Sequence, residues 1–362
     1  LNQAGLPLGL LVLLVVAFIT DYSIILLIKG GNLSGTNSYQ ALVQRTFGFP
    51  GFLLLSVLQF LYPFIVGPGH ILAERHCVIL LSTAVFTLPL SLYRNIEKLG
   101  KVSLLSMGLT LAVLITVIVR AATLAPQILP TKDAWVFAKA NAIQAAGIMS
   151  FAFICHHNSF LIYGSLEEPS IASWTRVTHV SVGSAVIISA AFAVAGYSTF
   201  TGFTQGDIFE NYCRDDNLAT FGRFCFGLSI VTTFPLECFV TREVVSNLVC
   251  CRELTRVEHA GLTVLIVSVC TSMSLAFECL GVVLELNGVL SATPLIFIIP
   301  SACFLKLSPG RWFQGENLIP SVLILTGMFV MITGLTMTGL SPQDCSHGRE
   351  MFYCTDANVS GT

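Results

Sequence analysis

Gly147-Ile148-Met149-Ser150-Phe151-Ala152-Phe153-Ile154-Cys155-His156-His157-Asn158-Ser159-Phe160 lies in an apolar segment long enough to cross a bilayer. It nevertheless carries a glycine, two serines, an asparagine and two adjacent histidines. A helix facing lipid on every side has no use for that polarity. Either the stretch is the centre of a solute-binding site, or it is a helix end near the headgroups with His156 and His157 wetted there.

The rest of the chain bears on that choice. Of its 362 residues, 54% are hydrophobic and 10% charged, against about 25% charged in soluble domains. With a mean hydropathy of +0.80, this composition implies an all-α polytopic membrane protein and excludes a soluble enzyme. The net charge of -2 comes with no basic patch and no base-stacking motif, so nucleic acid is not an expected partner. Most of the twelve cysteines fall inside apolar runs, where cysteine acts as a small hydrophobe. The chain begins at Leu1 and no Lys or Arg precedes Lys29, so the basic start of a signal peptide is missing. The expectation is a form lacking its natural beginning.

A spanning helix needs roughly 20 apolar residues. Ten segments qualify, at approximately 7–28, 49–66, 77–93, 102–121, 142–163, 176–200, 223–241, 259–280, 286–305 and 317–340. The second and third are the weakest, because Gly67-Pro68-Gly69 stops the second early. Glu278 and Glu285 are expected to mark a wetted turn between the eighth and ninth. Residues 1–340 then form the membrane domain and 341–362 a polar tail.

Alternate loops differ in basic residues. One set holds Lys29, Arg45, Arg94, Lys98, Lys101, Arg176, Arg242, Arg252, Arg256, Lys306 and Arg311. The other holds Arg75, Arg120, Lys132, Lys139, Arg214, Arg223 and Arg349. The richer set is assigned to the cytosol, which puts both chain ends at the exterior or in an organelle lumen. There Cys345 and Cys354 are candidates for a disulfide, and Asn358-Val359-Ser360 is a glycosylation acceptor. Asn32-Leu33-Ser34 falls on the cytosolic side and is expected to stay unused. Cys250-Cys251 is a palmitoylation candidate beside a pair of spectator thiols as the plainer alternative.

Ionisable residues inside a membrane are costly and usually face a cavity or a partner. Asp21 in the first span fits either a site or a structural bond to a neighbouring hydroxyl. Glu237 in the seventh is expected to pair locally with Arg242. Gly147 and Ser150 allow the central helix to unwind, and an unwound backbone at membrane depth offers N–H groups to a carboxylate and carbonyls to a cation. Thr232 and Thr233, ahead of Pro235, are hard-oxygen candidates for a small cation; back-bonding to the preceding turn is the alternative. No phosphate-binding loop, zinc motif or nucleophile elbow is present in the sequence. His156 and His157, about 100° apart on a helix, are a poor metal pair.

Several stretches resemble the amino acid/auxin permease superfamily. Met149–His156 with Leu161–Glu167 is similar to its sixth helix and following loop, and Pro235–Arg242 to the end of its eighth. Leu286-Asn287-Gly288-Val289-Leu290 with Phe297-Ile298-Ile299-Pro300 is similar to its tenth, and Leu90–Arg94 with Lys98-Leu99 to its fourth. The resemblance covers almost the whole chain and is closest to the sodium-coupled neutral amino acid transporters. It implies a leucine-transporter-like fold, with two inverted five-helix repeats plus one helix, here truncated to about ten spans. Asn2–Pro7 resembles the tail of the family's first helix. Most of that helix and part of the third are then missing, so half a binding site is expected. The resemblance places Ser150, Phe151, Ala152, Phe153, Cys155 and His156 at the substrate, and Thr232 and Thr233 at sodium. It implies secondary active transport of a neutral amino acid driven by sodium, with proton counter-movement as an option, in the plasma or endolysosomal membrane. His156 is then a candidate pH sensor. No cofactor is implied beyond the co-transported ion. The alternatives are a non-transporting sensor or inactive variant of the same fold. A membrane enzyme would need a catalytic pair that the sequence lacks.

Overall fold

The computed structural model describes residues 1–64, 80–92, 96–139, 141–249, 254–276, 280–340 and 351–354. Among them the chain is all-α, and eight helices are long and apolar enough to cross a membrane. In order, α1 is Leu6–Ser34, α2 Tyr39–Phe64, α3 Leu80–Ser91 and α4 Ile96–Leu124. Next come α5, Ala142–Phe153, and α6, His156–Gly164, which together make one span. They are followed by α7, Ile171–Phe200, α8, Asn217–Val249, and α9, Arg256–Ala276. The last two are α10, Gly281–Leu307, and α11, Leu318–Leu340.

Local chemistry sets these ends. Pro7 opens α1 and Gly35, at φ 67°, closes it in the left-handed conformation that glycine tolerates best. Ser170 caps α7 by accepting from the Ser173 amide. The second span departs from expectation, because helix starts at Tyr39 rather than near residue 49. Tyr39, Leu42, Val43 and Thr46 are buried at helical spacing, an apolar face that Gln40, Gln44 and Arg45 obscure in the sequence. Gly48, at φ 70°, then kinks α2. The third expected span is shorter than thought: α3 has twelve residues, about 18 Å at 1.5 Å each, well short of a bilayer core. Gly67 to His76, Cys250, Cys251, Glu278, Cys345 and Asn358 lie outside the described residues.

The α10 helix is the most buried of the spans. It passes through two π-helical stretches, Gly288–Ala292 and Pro294–Ile298, of a kind that gathers at functional sites. It packs against α1, α5 and α11, while α4 lies along α8 and α1 along α7. Its contact with α5 is backbone-close. A Cβ at Gly288 would sit 2.0 Å from the Gly147 carbonyl oxygen, and one at Gly147 would sit 2.7 Å from Val289. Small residues let membrane helices approach in this way. Gly147 therefore lies in regular helix and packs against a neighbour; it does not unwind the chain as expected from sequence. Apolar side chains such as Phe18 on α1 and Phe329 on α11 are turned outward, as a lipid solvent requires.

A clasp closes one end of the molecule. The segment between α7 and α8 meets the tail, where Cys354 is bonded to Cys213. This corrects the expected Cys345–Cys354 link. The tail is drawn onto the 203–213 segment, where Tyr353 donates to the Asn211 carbonyl at 2.6 Å and Phe352 meets Phe203 edge-on. Burial, with Asp216 close by, pushes the Tyr353 phenol up to about 12, so it holds its proton well past neutral pH. Arg223 braces the same segment through the Phe209 and Tyr212 carbonyls, and Arg120 pairs with Asp216.

Two outcomes follow. Gly288→Ala drives a methyl into backbone and should cost at least about 1–3 kcal/mol, whereas Gly183→Ala, mid-helix with open space around it, should stabilise by roughly 0.5–1 kcal/mol. Thermal unfolding in detergent compares them. Peptide mapping should find the tail cross-link abolished by Cys213→Ser and by Cys354→Ser, and intact in Cys345→Ser.

Candidate functional site

The helix break falls between α5 and α6. Ile154 is extended at ψ 121° and Cys155 has φ -141°, so neither continues the helix. This is several residues beyond Gly147 and Ser150, where unwinding was expected. No single residue there is a strong helix breaker, and the break frees backbone groups at membrane depth.

One side-chain relay anchors the break. Ser23 of α1 donates to the Ile296 carbonyl, and His156 Nε2 lies 3.1 Å from Ser23 Oγ. A carbonyl can only accept, so the serine proton is committed to Ile296 and His156 Nε2 must be the donor to Ser23. His156 Nδ1 is then an acceptor, fully buried and without a partner among the described residues. Asn158 Oδ1 and Thr20 Oγ1 are likewise buried and unpartnered, on helices packed against each other. Buried acceptors left bare carry a penalty unless a ligand or water meets them.

The other expected site residues divide. Ser150 is buried but turns its hydroxyl back to the Ala146 carbonyl at 2.8 Å. Phe153 packs into an apolar cluster with Leu13, Val16 and Ala17, and Ala152 faces outward. Phe151 is half-buried against the core around Ile154. Cys155 is a free cysteine at the break, exposed as a residue. The break therefore gathers Cys155 and His156, with Ser23, Thr20 and Asn158 added. Ser23 was legible only as a small hydroxyl inside an apolar run.

On α8, Thr232 donates to the Leu228 and Ser229 carbonyls and Thr233 to Ser229. Thr233 also reaches Ser106 of α4 at 3.4 Å. Ser106 in turn meets Ser229 Oγ at 2.8 Å, and Thr110 lies 3.4 Å from the same atom. The structure thus brings Thr233 into a cluster of four hydroxyls and leaves Thr232 on its own helix.

Three carboxylates differ from expectation. Glu237 lies 3.0 Å from His157 Nε2, while Arg242 donates to the Ser91 carbonyl and to Thr263. The α6 helix brings a partner that no local spacing reveals. Asp21 meets His179 of α7 at 2.7 Å rather than a hydroxyl. Glu285 marks no wetted turn: it is fully buried inside α10 and accepts from Thr338 at 2.5 Å.

Residues 1–340 match the family described as transmembrane amino acid transporter protein. The chain is 64% identical to the zebrafish (Danio rerio) protein named "Putative sodium-coupled neutral amino acid transporter 11", over 100% of the chain and 86% of that protein. It is 56% identical to the human protein of the same name, over 100% of the chain and 95% of that protein. Vacuolar amino acid transporter 2 of Saccharomyces cerevisiae is 29% identical, over 96% of the chain and 80% of that protein.

A double-mutant cycle on His157 and Glu237, read by thermal unfolding, should show a coupling of about 0.5–3 kcal/mol. Additive effects would mean that the contact carries no energy.

Proposed function

The chain belongs to the transmembrane amino acid transporter family, and on that premise we propose that it carries neutral amino acids across a membrane, driven by inward-moving sodium. The family is one of transporters, not enzymes. The observation that carries the proposal is the break at Ile154–Cys155, with a buried, unpartnered acceptor beside it on His156. An amino-acid zwitterion supplies what such a break lacks. Its carboxylate suits the amide groups at the start of α6, and its ammonium suits an acceptor such as His156 Nδ1. Of the six residues named from sequence, Cys155 and His156 are best placed to take part. Ser150 and Phe151 serve as wall, and Phe153 supports from the core.

For sodium, a hard cation, the cluster of Ser106, Thr110, Ser229 and Thr233 offers oxygen ligands between α4 and α8. Thr233 is the stronger of the two threonines in this role. The Cys213–Cys354 bond supports an exterior or lumenal tail, because disulfides persist in oxidising compartments. The plasma membrane and the endolysosomal membrane both provide that setting.

Purified full-length chain in liposomes should take up L-glutamine or L-alanine faster with an inward sodium gradient than with choline. Thr233→Ala should weaken apparent sodium affinity by about tenfold, the equivalent of roughly 1.4 kcal/mol. Uptake indifferent to sodium would overturn the coupling. A polar thiol reagent should block uptake by modifying Cys155, and saturating substrate should slow that modification; Cys155→Ser should resist the reagent.

A further inference from the structure

A cavity of about 710 Å³ opens among the last turns of α1 and α10, the start of α7 and the loop after α10. It is lined by Lys29, Arg311, Glu316 and Asn317, with Phe304 and Ile171 as apolar wall. Lys29 and Arg311 belong to the loop set that the charge count assigns to the cytosol. None of its three charged groups is in an ion pair among the described residues.

Asn317 narrows the chemistry. The residue is 3% exposed. The amide nitrogen turns to the Arg311 carbonyl at 3.5 Å, which leaves Oδ1 buried without a partner. The unmet group is an acceptor, so a ligand that satisfies it must donate a proton. A phosphate or other pure anion would suit Lys29 and Arg311, yet it would leave Asn317 Oδ1 bare and be repelled by Glu316. A bare cation would meet the reverse difficulty. A zwitterion answers both ends: carboxylate toward Arg311 and Lys29, ammonium toward Glu316 and Asn317 Oδ1. Phe304 and Ile171 leave an apolar surface for an uncharged side chain.

We infer that this cavity is a second binding site for a neutral amino acid, separate from the helix break and reached from the opposite end to the disulfide clasp. The inference rests on amino acid transport by the chain and extends it: substrate is held at the membrane face before or after it occupies the centre. Glu316 and Arg311 are exposed, so substitutions there leave the helix packing untouched.

The test uses the full chain in phosphatidylcholine nanodiscs, with radiolabelled L-glutamine as probe. Wild type should bind two equivalents. Arg311→Gln and Glu316→Gln should each weaken one equivalent by at least about tenfold and spare the other, with melting temperatures equal to wild type. His156→Ala should do the reverse. A single equivalent, unmoved by Arg311→Gln and Glu316→Gln, would overturn the second site. So would a second equivalent that Glu316→Gln strengthens and inorganic phosphate displaces, since that marks an anion site. Should His156→Ala change neither binding nor uptake while Arg311→Gln and Glu316→Gln still remove one equivalent, the helix-break assignment fails and the second site stands.

Discussion

Pro300 has no amide proton, and the arrangement around the helix break follows from that absence. In regular helix the amide of residue 300 would serve the Ile296 carbonyl, and in the π-helical stretch just before it, the Leu295 carbonyl. One missing amide takes its donor from one of these two buried carbonyls, and both accept from side chains of other helices. Ser23 of α1 supplies one and Tyr39 of α2, at 3.1 Å, supplies the other. Once the Ser23 proton is committed, His156 can meet that serine only as a donor. A proline in α10 thereby determines which nitrogen of a histidine in α6 is left to accept. The same bonds tie α1, α2, α6 and α10 together where the backbone of the central span is interrupted.

The α8 helix connects that centre to the hydroxyl cluster. Ser229, Thr233 and Glu237 follow at intervals of four, so they share one face. The first two meet Ser106 of α4, and the third meets His157 of α6. Pro235 lies between Thr233 and Glu237 and removes one backbone bond from the helix there. A cation gathered by the hydroxyls would therefore act on a weakened turn whose far side holds the helix break.

Much of this was legible in the sequence, and the omissions have physical causes. Apolar run length located eight of the ten expected spans, because lipid imposes a one-dimensional requirement; the helices at 80–91 and 256–276 do not qualify among the described residues. The polar stretch at 147–160 stood out against it. The partners of the intramembrane charges did not, since Glu237 with His157, Asp21 with His179 and Glu285 with Thr338 are each separated by 50 residues or more in the chain. Local spacing favoured Arg242 for Glu237 and outer water for Glu285, and tertiary packing overrode both. The Cys213–Cys354 bond, across 141 residues, escaped for the same reason. Gly147 was misplaced differently: glycine can signal either freedom or closeness, and only Gly288 on the facing helix shows that closeness is the use here.

The two ends of the molecule are built to opposite rules. At one, Arg120 pairs with Asp216, Arg223 takes up loop carbonyls, and a disulfide ties the tail to the segment between α7 and α8. At the other, Lys29, Arg311 and Glu316 stand around a cavity with no partner among the described residues. Opening a path costs least where the fewest satisfied contacts must be broken. The clasped end would have to part buried bonds and a cross-linked loop together, whereas the cavity end has charges already free to exchange water for a ligand.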